Sequence, residues 1–389
     1  MRILHTSDWH IGRSFHGHST LDALRSVLEV LTAQVREHEV DLVLVAGDIF
    51  DSATPAAGCY TLLTDTLVGI RDAGAQVVVT SGNHDSAARL GFQAKLLREG
   101  IFVVTDPSTV GTPITIDDEF GPVQVYGIPF LEPTLIRHLW MDEAGERLDI
   151  RTQHDAIDHA MTRVRADLAV RGGRSVAIAH CFAAGVEPTP HLERDIQQGG
   201  LDVVSLSAFD GVDYVALGHI HGRQQLAENV RYAGAPLHYS FGEADKPRGS
   251  WLIDMDATGA ISAEWLALPI PRRLVTLGGT LDDLLSDPKF AADEDAWVCA
   301  QYTDNALQVD PMRRLQARFP FCATVAHTPA VSAAADARSY TARVRAARSD
   351  VELVDAFLAH VRGGDAATPG ELEIIRDVVD DLTAVKAVA

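Results

Sequence analysis

The sequence predicts a layered α/β protein, and three observations carry that prediction. Short apolar runs alternate with amphipathic helical stretches through the first 106 residues, the pattern of strands packed between helices. The runs at 42–45 and 77–79 are unbroken Leu and Val, which suits strands buried on both faces. Five of the runs end in side chains that bind metals or move protons, and strand ends at one edge of a sheet are where an α/β protein builds a site.

Residues 2–7 read as the first strand. Residues 21–38 read as a helix whose Leu24, Leu28 and Leu31 share one face. A strand at 41–46, a helix at 54–73 with proline near its start, a strand at 76–80, a helix at 86–98 and a short strand at 101–104 complete the alternating region. Strands are then expected at 114–116 and 123–128, around a turn at Gly121 and Pro122. A helix over 153–170 precedes the Gly172 and Gly173 loop, and strands follow at 175–179, 214–217, 230–232 and 251–254. Residues 181–209 make a long excursion with little periodicity, a length at which loops are often functional.

A boundary falls near residues 269–271. Beyond it, strands at 274–277, 297–302 and 323–327 and helices at 281–285 and 311–319 make a small α+β module. Residues 330–348, rich in Ala and Arg, read as a flexible link. Two amphipathic helices at 351–361 and 369–385 close the pattern, separated by Gly363 and Gly364. The expected organisation is a main domain at 1–268, a cap at 269–330, a linker at 331–348 and a helical pair at 349–389.

At 389 residues the chain can bury a large core and still carry an accessory domain. Its 47% hydrophobic and 22% charged content is that of an ordinary globular protein. No apolar run is long enough to span a bilayer, and no basic n-region or cleavage site opens the sequence, so a cytoplasmic protein without a membrane partner is expected. Cys59, Cys181, Cys299 and Cys322 form no CxxC pair and read as reduced, mostly buried thiols. A net charge of -21, from 33 Lys and Arg against 54 Asp and Glu, argues against autonomous nucleic-acid binding. Bound cations or a basic partner would reverse that argument locally. For most of the surface the acidity reads as solubility.

The strand ends supply Asp8 and His10, then Gly47 and Asp48, then Gly82, Asn83, His84 and Asp85, then His180, then Gly218, His219, Ile220 and His221. In an extended segment Asp8 and His10 would point to the same side, as would His219 and His221. Asp48 follows a residue that permits a tight turn, and a carboxylate can bridge two cations about 3.5–4 Å apart. Asn83 offers a neutral oxygen and His84 a proton donor, with Asp85 placed to hold the His84 tautomer. Each of these is ordinary alone: an Asp after a strand is commonly a cap, a lone His commonly structural. Five in a row suit two hard-to-borderline divalent ions better than one structural zinc. His5, His16, His18, His138, His154, His159 and His191 have no partner motif and read as surface or structural. Arg13, Arg89 and Arg223 lie near the motifs and are equally well ordinary surface cations. Trp9 is expected to pack beneath the site rather than to stack on a base.

In this order the residues resemble the calcineurin-like metallophosphoesterase superfamily. The segments RILHTSDWHI at 2–11, VAGDIFD at 45–51 and DYVALGHIH at 213–221 further resemble its bacterial SbcD nuclease-subunit branch. So do Glu193-Arg194-Asp195-Ile196, Gly234-Ala235-Pro236 and Ser240-Phe241-Gly242-Glu243. The motifs cover about the first two-thirds of the chain. The resemblance implies a β-sandwich flanked by helices, with a small α+β cap and C-terminal helices. It implies one ion held by Asp8, His10, Asp48 and His221, and another by Asp48, Asn83, His180 and His219, with Asp48 bridging. Relatives prefer manganese. His84, with Asp85, is implied as the catalytic group that stabilises the transition state or protonates the leaving oxygen; Asp51 stands behind the ligands at most. The implied protein is a subunit of a DNA exonuclease and endonuclease acting on ends and hairpins in DNA repair, recombination and replication. Its implied partners are an SbcC-like SMC-type ATPase, which the C-terminal helices bind, a second copy of the chain, and DNA.

A small-molecule phosphodiesterase, for instance one acting on cyclic nucleotides, would need the same strand-end ligands. It would not need the cap or the helical pair. A metal-free scaffold would not need the full ligand set.

Overall fold

The structure, a computed structural model, describes residues 1–142, 144–185, 203–329, 340, 343–362 and 365–388, without the side chains of 381–388. His191, the Glu193–Ile196 motif, most of the linker and Gly363 and Gly364 lie outside the described residues. The chain forms two compact units, Met1–Pro271 and Arg272–Ala389.

The first unit is built on two six-stranded sheets. One runs in the order Ile261–Ala267, Gly249–Met255, Arg2–Thr6, Leu42–Ala46, Gln76–Thr80, Ile101–Val104. The other runs Gln224–Gln225, Val230–Tyr232, Tyr214–Gly218, Arg174–His180, Gly121–Gly127, Ile114–Asp118. Alternation along each strand explains the unbroken apolar runs. Ile3, Leu42, Leu44, Val78, Val176, Ile178, Tyr214 and Ala216 fill the core between the sheets. Their neighbours Leu4, Val43, Val45, Val77 and Val79 face outward into a second core under the helices Leu21–Glu37 and Ala57–Asp72. Ala177, Ala179, Val215 and Leu217 meet the helix Gln153–Arg171 on the opposite side. Strands read by two buried faces need apolar residues at every position. The result is the β-sandwich flanked by helices that the resemblance implied.

His5 is the polar exception in the inter-sheet layer. Its Nε2 donates to the Leu217 carbonyl at 3.1 Å and its Nδ1 accepts from the Tyr214 hydroxyl at 2.8 Å. Burial pushes it down to about 3, so it stays neutral.

Several local expectations change: the helix expected over 311–319 ends at Gln316, and the strand Ile261–Ala267 and the helix Pro133–Leu139 have no counterpart among the expected elements. The helix expected over 86–98 is only Ala87–Leu90, followed by a 3-10 turn at Ala94–Leu96. Gly91 caps it, and a side chain there would meet Thr105. The helix expected from 54 begins at Ala57. The second unit holds a three-stranded parallel sheet, Leu274–Gly279, Trp297–Tyr302 and Cys322–His327, with the helices Leu281–Ser286 and Pro311–Gln316. It also holds the helices Asp350–Val361 and Pro369–Val388. All four cysteines are free, and no described helix is long and apolar enough to cross a membrane.

The strand that ends in His180 begins at Arg174, and this far end carries its own ion pair. The Asp118 carboxylate accepts from Arg174 Nη1 at 2.9 Å and from Nη2, while Arg174 is almost fully buried. The guanidinium holds Asp118 well below the usual carboxylate range, against the smaller effect of burial. A depressed folded-state value contributes stability that is complete above the unfolded value near 4 and is lost as pH falls below it. Asp118→Asn is therefore expected to cost ~2–3 kcal/mol at pH 7. The gap from the parent should narrow in chemical denaturation at pH 3; an equal gap at both pH values would rule the pair out as its source.

Candidate metal centre

The carboxyl ends of the parallel strands from both sheets meet at one edge. The loop after Arg2–Thr6 lies along the loop after Leu42–Ala46. Asp8 N–H donates to Gly47 O at 3.1 Å, His10 N–H to Asp48 O at 2.9 Å and Ile11 N–H to Ile49 O at 2.9 Å. The second sheet is tied in by His219 N–H, which donates to Asp8 Oδ1 at 2.9 Å. Seven non-glycine residues among those described have positive φ, and four are Asp8, His10, Asp48 and His219. Left-handed backbone costs an ordinary residue ~1–2 kcal/mol and concentrates at functional sites. It also corrects the expectation that strand alternation aligns Asp8 with His10: these side chains are gathered by turns, not by an extended segment. Two glycines make room. A side chain on Gly47 would collide with the His180 ring, and one on Gly82 with the Asp48 carboxylate.

Two groups of donor atoms result. In the first, Asp8, His10 and His221 offer ligand atoms within 4.8 Å of one another, and the Nε2 atoms of His10 and His221 face each other at 3.1 Å. In the second, His180 Nε2 lies 3.0 Å from Asn83 Oδ1 and 3.3 Å from Asp48 Oδ2, and His219 Nδ1 lies 3.1 Å from Asn83 Oδ1. Asp48 Oδ2 also stands 3.6 Å from His10 Nε2, so one carboxylate reaches both groups. Adjacent donors around an octahedral cation with ~2.1 Å bonds are about 3 Å apart. Imidazole lone pairs and carboxylate oxygens crowded to this distance fit a pair of divalent cations.

The electrostatics agree with that fit. Burial pushes His10 down to about 4 and His219 down to about 3, leaving neutral rings with free lone pairs. Burial raises Asp8. Burial would raise Asp48 too, but His180, His10 and His84 outweigh it and hold Asp48 well below the usual range. His180 is lifted to about 9: burial opposes its charge, and Asp48 and Asp8 more than offset this. Its Nδ1 donates to the Ala46 carbonyl at 3.0 Å, so the proton at stake is on Nε2, where a cation would replace it.

His84 and Asp85 separate, which corrects their expected pairing. His84 Nδ1 donates to the Asp51 backbone carbonyl at 3.0 Å, and the ring stands edge-on to His10 with centroids 4.8 Å apart. The Asp85 carboxylate is occupied by backbone: it accepts from the N–H groups of Ile49 at 3.0 Å, Phe50 at 2.9 Å and Gly82 at 2.9 Å. It shapes the turn that carries Asp48 and does not orient His84. Two carboxylates stand behind the ligands: Asp51, where the resemblance implied at most such a place, and Glu243, to which sequence reasoning assigned no role. Asp51 Oδ1 lies 3.3 Å from His10 Nδ1 and 3.2 Å from Arg13. Glu243 Oε1 lies 3.3 Å from His221 Nδ1. The signal for Glu243 was the Ser240–Glu243 segment, read only as part of a resemblance. Among the other residues, Trp9 is buried and donates to Thr6 Oγ1 at 3.1 Å. His238 donates to the Lys246 carbonyl at 2.9 Å. Arg89 donates to the Ala53 carbonyl at 2.7 Å, and Arg223 lies over the Trp265 ring.

Residues 1–223 match the model of the calcineurin-like phosphoesterase family. Residues 270–362 match the SbcD C-terminal model, described as the type 5 capsule protein repressor C-terminal domain. Three solved structures are similar. A Thermus thermophilus protein is 14% identical, with 68% of this chain and 98% of that one covered and a TM-score of 0.38. An archaeal phosphodiesterase is 13% identical, with 68% and 100% covered and a TM-score of 0.31. A dimetal phosphatase from Danio rerio is 12% identical, with 69% and 96% covered and a TM-score of 0.39. The two matched regions support an SbcD-type nuclease subunit, a hydrolase acting on phosphoester bonds. With more than half of its length matched, the chain belongs to the calcineurin-like phosphoesterase family.

Proposed function

We propose that the chain is a manganese-dependent DNA nuclease subunit that cleaves ends and hairpins in repair, recombination and replication. It works in the cytoplasm, as a dimer, with an SbcC-like SMC-type ATPase. The observation that carries the reading is the pair of donor groups sharing Asp48, in a chain that also matches the SbcD C-terminal model. Asp8, His10, Asp48 and His221 hold one ion; Asp48, Asn83, His180 and His219 hold the other. When bound, the two ions neutralise phosphate charge and lower the pKa of the attacking water. The protein's own part is positional. Asp48 sets the spacing between the groups. His84, its Nδ1 committed to the Asp51 carbonyl, turns Nε2 to the substrate and supports or protonates the leaving oxygen.

We assign 1–268 to the nuclease domain, 269–330 to the cap, 331–348 to the linker and 349–389 to the partner-binding helices. Leu353, Val354, Phe357 and Val361 are exposed on Asp350–Val361, and Ile374 and Val378 on Pro369–Val388. An ATPase that covers these side chains and adds basic surface reconciles a DNA substrate with a net charge of -21.

The test is cleavage of linear duplex and hairpin DNA by the full chain with Mn2+, alone and with the coiled-coil ATPase and ATP. Mn2+-dependent cleavage that the ATPase stimulates is the expected result. Hydrolysis of cyclic nucleotides with both DNA substrates left intact overturns the reading in favour of a small-molecule phosphodiesterase.

A further inference from the structure

The imidazoles of the two donor groups are backed by different chemistry. Behind the second group, His180 Nδ1 is bonded to a neutral carbonyl, Ala46 O. Behind the first group stand two carboxylates, Asp51 at His10 and Glu243 at His221, each 3.3 Å from the ring Nδ1. Glu243 is 0% exposed. Its second oxygen accepts from Arg248 Nη2 at 2.9 Å and from Tyr239 N–H at 3.0 Å. Arg248, also buried, donates to the His221 carbonyl and to the Ala235 carbonyl at 3.2 Å. One buried ion pair therefore holds the His221 backbone and sets a carboxylate behind its ring.

His10 Nδ1, His221 Nδ1 and Glu243 Oε1 are buried without a hydrogen bond. Buried orphans of this kind cost ~1–3 kcal/mol each. The distances are within reach and only the alignment is missing. An imidazole that gives its Nε2 lone pair to a cation carries its proton on Nδ1, aimed at the carboxylate behind it. A cation between the two Nε2 atoms thus pairs three orphaned atoms in one event. The second group has no such gain in store at His180, whose Nδ1 bond is already made.

We propose that Glu243 and Asp51 are positioning residues that make the Asp8–His10–His221 position the tighter of the two, so that the ions load in a fixed order and the Asn83–His180–His219 position fills second. This rests on the two-ion reading above and adds to it an inequality between the sites.

The test is Mn2+ titration of the full chain, followed by calorimetry and by electron paramagnetic resonance, which separates a lone ion from a coupled pair. The parent is expected to show two dissociation constants at least about tenfold apart, the coupled signal growing only with the second equivalent. Glu243→Gln and Asp51→Asn should each weaken the first constant by ~10–100-fold, with much less effect on the second. A purely structural role would weaken both together. Should Glu243→Gln fail to fold, with Arg248 left buried beside a neutral amide, Asp51→Asn at its partly exposed position carries the test. Unchanged constants in the variants, or loss at the second site alone, overturn the proposal. A parent with two equal constants overturns the order of loading and leaves the two-ion reading standing; a parent that binds no ion overturns both.

Discussion

Asp48→Ala is expected to lower kcat/KM for phosphodiester cleavage by at least ~10^3-fold, equivalent to about 4 kcal/mol of transition-state stabilisation. The magnitude follows from what the side chain does. Its Oδ2 lies 3.3 Å from His180 Nε2 and 3.6 Å from His10 Nε2, near an imidazole of each group. Its Oδ1 accepts the His84 N–H at 2.9 Å. Alanine removes the proposed bridge and leaves imidazoles from both groups around a hole with less negative charge. It also releases the turn that carries His84. Ion binding and turnover should fall together, read by metal content after dialysis against Mn2+ and by initial rates on duplex DNA. A variant that keeps two ions and a tenth of the parent rate would remove Asp48 from the role of bridge.

His84→Ala should separate the two readouts. General acid–base groups contribute ~10^2–10^4-fold, so kcat should fall by that factor while the ion content stays at the parent level. His84 has a ring nitrogen within 4.8 Å of ligand atoms of His10 and Asp48, but its Nδ1 is spent on the Asp51 carbonyl. The remaining nitrogen, Nε2, serves the leaving oxygen in the proposed role, and not an ion. The defect should shrink with a nitrophenyl leaving group, which departs without a proton, if the ring acts as an acid. It should persist if the ring stabilises charge on the phosphate. Loss of one ion in His84→Ala would make the residue a ligand instead.

The sandwich was legible because the physics that forms it is written locally. Strands such as Leu42–Ala46 are buried on both faces, and their sequence has to be apolar at every position. The candidate site residues were legible only as a set: each is ordinary alone, but Asp8, Asp48, Asn83, His180 and His219 all stand at or just past a strand end. What lay behind them was not. Asp85 stands next to His84 in sequence, and adjacency suggested a pair. The chain turns at that point, and the carboxylate goes to three backbone N–H groups. Glu243 lies 22 residues past His221, and its contact with that ring depends on how Phe241–Glu243 folds back, which no local pattern encodes. The left-handed Asp8, His10, Asp48 and His219 were likewise invisible, because nothing in an Asp or a His marks a positive φ. The short helix Ala87–Leu90 was overread for want of weight on Gly91.

The donor groups take Asp8, His10, Asp48 and Asn83 from loops of one sheet, and from the other His180, the last residue of its strand, with His219 and His221 of the next loop. The ions of the proposed site would therefore act as a clasp across the open seam of the sandwich. Ligation that serves only the folded form adds RT ln(1 + [L]/Kd) to stability, ~2.7 kcal/mol for each ion at a hundredfold excess over its Kd. With the ions bound, the residues proposed for hydrolysis would also close the domain at the edge where strained and crowded loops would otherwise spread. Catalytic competence and the integrity of the fold then depend on the same few atoms, and starvation for the cation would loosen both at once.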